Sequence, residues 1–447
     1  MMLEAKNIGI LGLGKSGYWS AKLATSMDYK VFISDSNTNV NSEFINDLKI
    51  LGTEIEIGMH SEEILKSDLI IKSPGISNDI EIMHKIKASK IPVISEIEFA
   101  GNLSNVKNIC ITGTNGKTTT VSLITAMLSK EKNVLKSGNI GIPFSKIVLE
   151  NKLYDTNDYD YCILELSSFQ LEHCSGLKKE ISAFLNISVD HMDRYSSFDE
   201  YFNTKLKIFE NARHCLFNYD DNILNKKVNN KKLDLFAFSL TEEKGNYFFD
   251  KNKICSNDSS MTLNTDEISL KGIHNISNII VATEIASKVG IKKENICNAI
   301  KEFEGLEHRF ECFHSINGID FINDSKSTNI ESVICAIESF SHPIILLLGG
   351  QNKQSDFRLL LPQIKVSLVK LVITYGESGG HIKTVLGDAV RSEQMKDLNS
   401  AVRKAHNLAA AGDIILLSPG CASFDEFKNF EHRGRFFKDY VNQINSL

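Results

Sequence analysis

The chain has 447 residues, of which 42% are hydrophobic and 24% charged, and carries a formal net charge of −6. That length exceeds one ordinary core and predicts roughly two to four globular domains. The acidic balance lays down no footprint for nucleic acid, no apolar run is long enough to cross a bilayer, and nine cysteines without a Cys-x-x-Cys pair fit reduced thiols in a cytosol. The first residues lead directly into a strand pattern, which predicts no leader peptide and a cytoplasmic location; a monomer is the expected state.

Residues 8–11 read as an apolar strand, followed by Gly12-x-Gly14-x-x-Gly17, a helix to about residue 27, and a second strand over 30–34 that ends at Asp35. This is the dinucleotide-type fingerprint in its expected context, with an acid at about the distance that reaches a ribose. Strand–helix alternation continues through strand 69–72 and the turn Ser73-Pro74-Gly75 to about Glu98. A strand over 109–112 then opens a second block and ends in Gly113-Thr114-Asn115-Gly116-Lys117-Thr118-Thr119, ahead of a helical pattern over 121–128. Glycines admit phosphate oxygens to backbone N–H groups, and the helix N-terminus adds a positive dipole end. Lys117 is placed to reach the outer phosphates and the Thr118 hydroxyl to sit on Mg²⁺, so the stretch predicts ATP binding. Two residues separate its glycines where the common P-loop has four, so the loop is a shortened one.

Further along, 161–164 and 183–189 read as buried parallel strands, 222–270 as a small β excursion, and 275–289 as a helix returning to α/β order. A third block begins near residue 306, with strands over 319–323, 344–348, 371–374 and 414–417. The expected fold is α/β in three domains: a Rossmann-like domain over 1–97, a central P-loop ATPase domain with a mostly parallel sheet over 98–305, and a C-terminal Rossmann-like domain over 306–447.

Ligands of such sheets collect at the C-terminal strand ends. Glu165 stands at one of these, where a carboxylate beside a phosphate loop can hold Mg²⁺, with Ser167 and Gln170 just beyond; His191 ends another, between Asp190 and Asp193. Ser197-Phe198-Asp199-Glu200 is a capping box that starts a helix. On that helix Lys205 has Tyr201, Phe202, Ile208 and Phe209 as its neighbours three and four residues away, so it points inward, whereas Lys207 sees a polar face. Burial favours the neutral, reactive amine of a lysine; snorkelling along the apolar face is the alternative. In the third block, Asn323-Asp324-Ser325-Lys326-Ser327-Thr328-Asn329, Gly349-Gly350-Gln351-Asn352-Lys353 and Ser418-Pro419-Gly420-Cys421-Ala422-Ser423-Phe424 each follow a strand, Arg309 lies at the entry to the block, and Phe430 to Gly434 lie on a short helix.

Together these motifs resemble the Mur ligase family over essentially the whole chain. Gly113–Thr119 is similar to its short P-loop. Leu164–Gln170, Asp190-His191-Met192-Asp193, His274-Asn275, His308-Arg309-Phe310 and Asn323–Asn329 follow its other motifs in order. Leu417–Phe430 resembles the branch that adds D-glutamate, with Gly420 where alanine is usual and Gln351-Asn352 where an acid and a glycine are usual. The resemblance implies ATP-dependent amide formation through an acyl phosphate, on small-molecule substrates. It implies ATP contacts from Gly113, Thr114, Asn115, Gly116, Lys117, Thr118, Thr119, Asn275, Arg309 and Asp324, and two Mg²⁺ sites from Thr118, Glu165, His191 and a carbamate on Lys205. Lys117, His191 and Lys205 become the catalytic group. A UDP-linked sugar is implied at Lys15, Ser16, Asp35, Ser36, Asn37, Gly75, Asn139 and Ser167, and D-glutamate at Lys326, Thr328, Lys353, Ser423, Phe424 and Phe430. The competing readings are a nicotinamide dehydrogenase, a non-catalytic nucleotide switch and a folylpolyglutamate synthetase; the first two leave Lys205 without a purpose and the third lacks a UDP-binding first domain.

Overall fold

The computed structural model describes residues 5–228, 235–241, 244–352 and 355–444. They divide into two compact units. The first comprises Met1–Ile187, Ser197–Asn264 and Asn278–Ile300 and contains three sheets. Strands β1 (Asn7–Leu11), β2 (Lys30–Asp35), β3 (Glu54–Ile57), β4 (Leu69–Lys72) and β5 (Val93–Ser95) form a parallel sheet in the order β3-β2-β1-β4-β5. Strands β6 (Lys107–Thr112), β7 (Val134–Gly138), β8 (Tyr161–Glu165), β9 (Lys179–Phe184), β10 (Ala212–Asn218) and β11 (Leu235–Phe238) form a second parallel sheet, ordered β11-β10-β9-β6-β8-β7. The β excursion expected over 222–270 is narrower: Asn222–Val228 is a helix, β11 joins the parallel sheet, and only β12 (Tyr247–Asp250), β13 (Lys253–Ser256) and β14 (Thr262–Asn264) form a separate three-stranded antiparallel sheet. Helices cover both faces of such parallel sheets, so the central strands are apolar throughout; Ile109, Cys110 and Ile111 are all fully buried.

The second unit comprises Ser188–Ser196, Thr265–Ser277 and Lys301–Leu447. Its sheet has β15 (Glu311–Ile316), β16 (Ile319–Asn323), β17 (Ile344–Gly349), β18 (Val369–Tyr375), β19 (Ser392–Gln394) and β20 (Ile414–Leu417) in the order β15-β16-β20-β17-β18-β19. Only the β15–β16 hairpin is antiparallel. Both faces are packed, one under Leu346, Val372 and Leu416, the other under Leu347, Ile373 and Leu417, as alternation along each strand requires. Among the described residues no helix is long and apolar enough to cross a membrane.

One further expectation shifts, and one strand is new. The strand read at 183–189 is Lys179–Phe184, because from Leu185 the chain leaves the sheet to bond the phosphate loop: the Thr114 N–H donates to the Asn186 carbonyl at 3.0 Å. Ala212–Asn218 is a full strand although Arg213 and His214 break its apolar pattern, because it pairs on both edges inside the sheet.

Candidate active site

β6 ends at Thr112, and the loop it feeds is gathered by side chains distant in sequence. The Asn115 N–H donates to Asn186 Oδ1 at 2.8 Å, and Asn186 Nδ2 donates to the Asn115 carbonyl at 3.1 Å. Gly116 has φ +82°, the left-handed region that glycine adopts freely, and a Cβ there would fall 2.4 Å from Asn278 Oδ1. Asn278 in turn accepts from the Thr120 hydroxyl at 3.2 Å. The loop therefore passes directly into the helix Lys117–Leu128, whose N-cap Gly116 offers no side chain to the first N–H groups, which have no intrahelical carbonyl.

The two lysines singled out in the sequence meet on one carbonyl. Lys117 Nζ donates to the Gly113 and Thr114 carbonyls, each at 2.8 Å, and Lys205 Nζ donates to the same Gly113 carbonyl at 2.9 Å. Lys205 is only 2% exposed, which bears out the inward direction read from helical spacing. Its helix, Phe198–Leu206, is capped by the Ser197 hydroxyl accepting from the Glu200 N–H, and its ammonium lies 5.1 Å from the Tyr201 ring centre. Glu165 ends β8, beside Ile111 of β6 and Gly138 of β7, and is 1% exposed. Its Oε1 accepts from Asn139 Nδ2 at 2.9 Å; Oε2 is buried with no hydrogen-bond partner. A buried carboxylate oxygen left bare costs free energy unless a cation supplies what is missing, so Glu165 fits the hard-cation ligand expected of it. Ser167 caps the helix Ser168–Leu171 in a reciprocal capping box with Gln170.

In the first sheet, the Asp35 carboxylate accepts from the Leu13 N–H at 2.6 Å and the Asn37 N–H at 2.8 Å, which fixes the Gly12–Gly14 turn. Gly17 has no room for a Cβ, which would stand 1.9 Å from the Gly12 carbonyl oxygen, whereas Gly14 and Gly75 face open space. Lys15, Ser36 and Asn37 are exposed and Ser16 half-buried around that space.

His191, in the second unit, has φ +57° and an Nε2 3.6 Å from Asp190 Oδ2. Asn275 is buried, with Nδ2 donating to the Lys271 carbonyl at 2.8 Å. Asp324 accepts from the Ser327 and Ser418 hydroxyls at 2.5 and 2.9 Å; burial pushes its carboxyl up to about 7, against the pull of those hydroxyls and of the Arg309 charge. Burial likewise holds His274 down at about 4, with Arg309 adding to the effect. Lys326 Nζ stands 3.7 Å from the Phe430 ring centre, Thr328 is half-buried, Ser423 is buried and Phe424 is 60% exposed. Lys353 lies outside the described residues.

Sequence reasoning missed Asn186, Asn278 and Arg433. Arg433 is 1% exposed and donates to Ser325 Oγ at 3.0 Å, to the Ser325 carbonyl at 2.8 Å and to the Cys421 and Ala422 carbonyls at 3.1 and 3.3 Å. It stitches the turns bearing Lys326 and Ser423 together, and the one available signal was an arginine on a helix just after the Ser418–Phe424 motif. Glu307, His308 and Glu311 also converge, but the Lys438 ammonium already partners both carboxylates, Glu307 at 3.0 Å and Glu311 at 2.5 Å.

Comparison with known proteins agrees with this layout. Family models match residues 7–82 (MurD N-terminal domain), 111–286 (Mur ligase middle domain) and 308–421 (Mur ligase, glutamate ligase domain). The UDP-N-acetylmuramoylalanine–D-glutamate ligase of Bacteroides fragilis is 37% identical over 451 residues, covering 98% of this chain and 100% of the relative. That of Bacteroides thetaiotaomicron is 39% identical over 453 residues, with the same coverage. Among solved structures, the MurF ligase of Thermotoga maritima in complex with ADP shares the fold at a TM-score of 0.64 and 14% identity, covering 93% of this chain and 96% of that one. The chain belongs to the Mur ligase family, as an ATP-dependent ligase of its UDP-N-acetylmuramoylalanine–D-glutamate ligase branch.

Proposed function

We propose that the chain joins D-glutamate to UDP-N-acetylmuramoyl-L-alanine at the expense of ATP, as a cytoplasmic monomer in peptidoglycan precursor synthesis. Residues 1–97 hold the UDP-sugar, 98–305 hold ATP and 306–447 hold the amino acid. The observation that carries this reading is the convergence of Lys117 and Lys205 on the Gly113 carbonyl, in the sheet where Glu165 keeps a buried oxygen unpartnered.

In the first half-reaction a substrate carboxylate oxygen attacks the ATP γ-phosphorus, the bond to the bridging oxygen breaks, and an acyl phosphate and ADP result. In the second, the amine of D-glutamate adds to the acyl carbon, loses a proton and expels phosphate, leaving the amide. Both halves bring anions together, so their barriers fall when positive charge is fixed beforehand. The loop N–H groups between Gly113 and Thr118 orient the phosphates, and Lys117 moves from the loop carbonyls to the outer phosphate oxygens. Thr118 and Glu165 would hold one Mg²⁺; His191 and a carbamate on Lys205 would hold a second. Such ions supply charge neutralisation along the line of transfer. Carbamate formation suits Lys205: the amine adds to CO₂, loses a proton and becomes an anion, and the Gly113 carbonyl beside it accepts the remaining N–H. Asn275, Arg309 and Asp324 serve the nucleotide. Lys326, Thr328, Lys353, Ser423, Phe424 and Phe430 form the amino-acid pocket, where cations and hydroxyls meet two carboxylates and the exposed Phe424 ring covers the ligand's methylenes. Asp35, Gly75 and the open face of Gly14, with Lys15, Ser16, Ser36 and Asn37, take the UDP end, and Asn139 and Ser167 the sugar.

Phosphate release in ATP, Mg²⁺ and UDP-N-acetylmuramoyl-L-alanine, measured across a panel of amino acids, tests this reading. Strict dependence on D-glutamate is expected; equal release with L-alanine or a diamino acid would overturn it.

A further inference from the structure

Lys72 ends β4 one residue before the Ser73–Gly75 turn, and its side chain is 1% exposed. Its ammonium lies 3.2 Å from Oε2 of Glu172, a side chain 6% exposed. The same Oε2 accepts from Asn78 Nδ2 at 3.0 Å, while Asn78 Oδ1 meets His173 Nε2 at 2.9 Å. Main-chain bonds run alongside: the Ser95 N–H donates to the His173 carbonyl at 2.6 Å, and the Gly176 N–H to Glu98 Oε2 at 2.7 Å. Lys207 Nζ holds the Glu172 carbonyl from a third direction at 2.6 Å. One polar network therefore joins the C-terminal ends of β4 and β5 in the first sheet to residues 172–176, which follow β8 of the second.

A buried ion pair is a poor source of stability. Desolvation costs several kcal/mol per ion, and an uncharged pair of similar volume is often as stable. What the pair supplies is direction, because each end adjoins a turn assigned to substrate. Ser73, next to Lys72, donates its hydroxyl to the Gly12 carbonyl at 2.9 Å and so fixes the glycine turn of the UDP site. Glu172 follows the helix Ser168–Leu171, whose cap Ser167 lies two residues beyond Glu165.

We infer that Lys72 and Glu172 are positioning residues: their ion pair sets the Ser73–Gly75 turn against the Glu165–Ser167 turn, so that a sugar nucleotide anchored at the first presents its carboxylate at the second. The inference rests on the reaction proposed above. A displacement of about 1 Å between two binding turns costs on the order of 100-fold in rate without abolishing either binding event.

Removing one partner strands the other charge, so Lys72→Met alone can fail to fold. The informative variant is Lys72→Met/Glu172→Gln, compared with the charge swap Lys72→Glu/Glu172→Lys. Calorimetry with UDP alone and with ADP alone reads each site separately, and steady-state phosphate release reads their alignment. The uncharged double variant is expected to bind UDP and ADP within about twofold of wild type while kcat/KM for the UDP-sugar falls about 10- to 100-fold, and the swap to recover part of that loss. An uncharged variant with wild-type kcat/KM, or one whose loss matches weakened UDP or ADP binding alone, overturns the inference and leaves the reaction standing. A wild-type protein that releases no phosphate with any amino acid overturns the reaction itself, and the inference with it.

Discussion

Lys117 and Lys205 reach the same carbonyl from different helices, yet their surroundings differ. Lys117 is half-buried at the mouth of a loop that phosphate can enter, whereas Lys205 is buried between the Tyr201 ring and the β6 terminus at Thr112. A charge or carbamate on Lys205 can act only on what enters that space. Lys205→Ala is therefore expected to lower turnover by about 10³-fold while ADP affinity and circular dichroism hold, since electrostatic stabilisation of this kind acts on the transition state; near-normal turnover would remove Lys205 from the mechanism. Glu96 carries a second consequence at this scale. It is fully buried, its Oε1 accepts from the Ser145 N–H at 2.5 Å, and burial pushes its carboxyl from the ordinary 4.5 up to about 7. The folded state thus holds a proton that the unfolded chain releases earlier. The associated stability is complete below pH 4.5 and is lost as pH rises through about 7, amounting to about 3 kcal/mol. Glu96→Gln keeps the acceptor and drops the titration, so its stability in urea relative to wild type should rise by about 3 kcal/mol between about pH 4.5 and pH 7.5. A constant difference across that range would show that Glu96 titrates normally.

Elements explain what could and could not be foreseen. The phosphate loop was legible because strand, glycines, lysine and hydroxyls are contiguous, and Lys205 because helical spacing alone defines its face. Glu165 was legible as the terminus of an apolar strand. Asn186, Asn278 and Arg433 were not, since each acts on groups 71, 158 and 108 positions away, respectively, and sequence spacing carries no trace of such pairings. The strand at Ala212–Asn218 was hidden for a related reason: pairing on both sides overrides the polar Arg213 and His214. Asn278 makes the loop itself testable. Gly116→Ala places a methyl 2.4 Å from Asn278 Oδ1 at φ +82°, so it should cost about 1–3 kcal/mol and weaken ATP binding by a comparable factor. Adding Asn278→Ala should relieve the contact and return part of the affinity, as a double-mutant cycle would register; independent, additive effects would mean that backbone strain alone is responsible.

At the scale of the whole molecule, strand–helix alternation announced parallel sheets, and a buried parallel sheet leaves few other architectures open. The association of the first two sheets in one unit was not announced, because it depends on side chains such as Lys72, Asn78 and Glu172 that read as ordinary polar residues. That association predicts how ligand binding spreads. A UDP-sugar at 100 times its dissociation constant stabilises the state it binds by about 2.7 kcal/mol. If the first sheet opened on its own, hydrogen exchange would slow only within about residues 7–95. The Ser95 amide of β5 instead bonds to the His173 carbonyl, in the connection that follows β8 of the other sheet, at 2.6 Å, so it exchanges only when that contact parts. UDP alone should therefore slow exchange at Ser95 and the β8–β9 connection, and leave the β18 amides of the second unit unchanged. Protection that stops at residue 95 would mean that the two sheets open independently, and the polar network between them would then have no part in aligning the substrates.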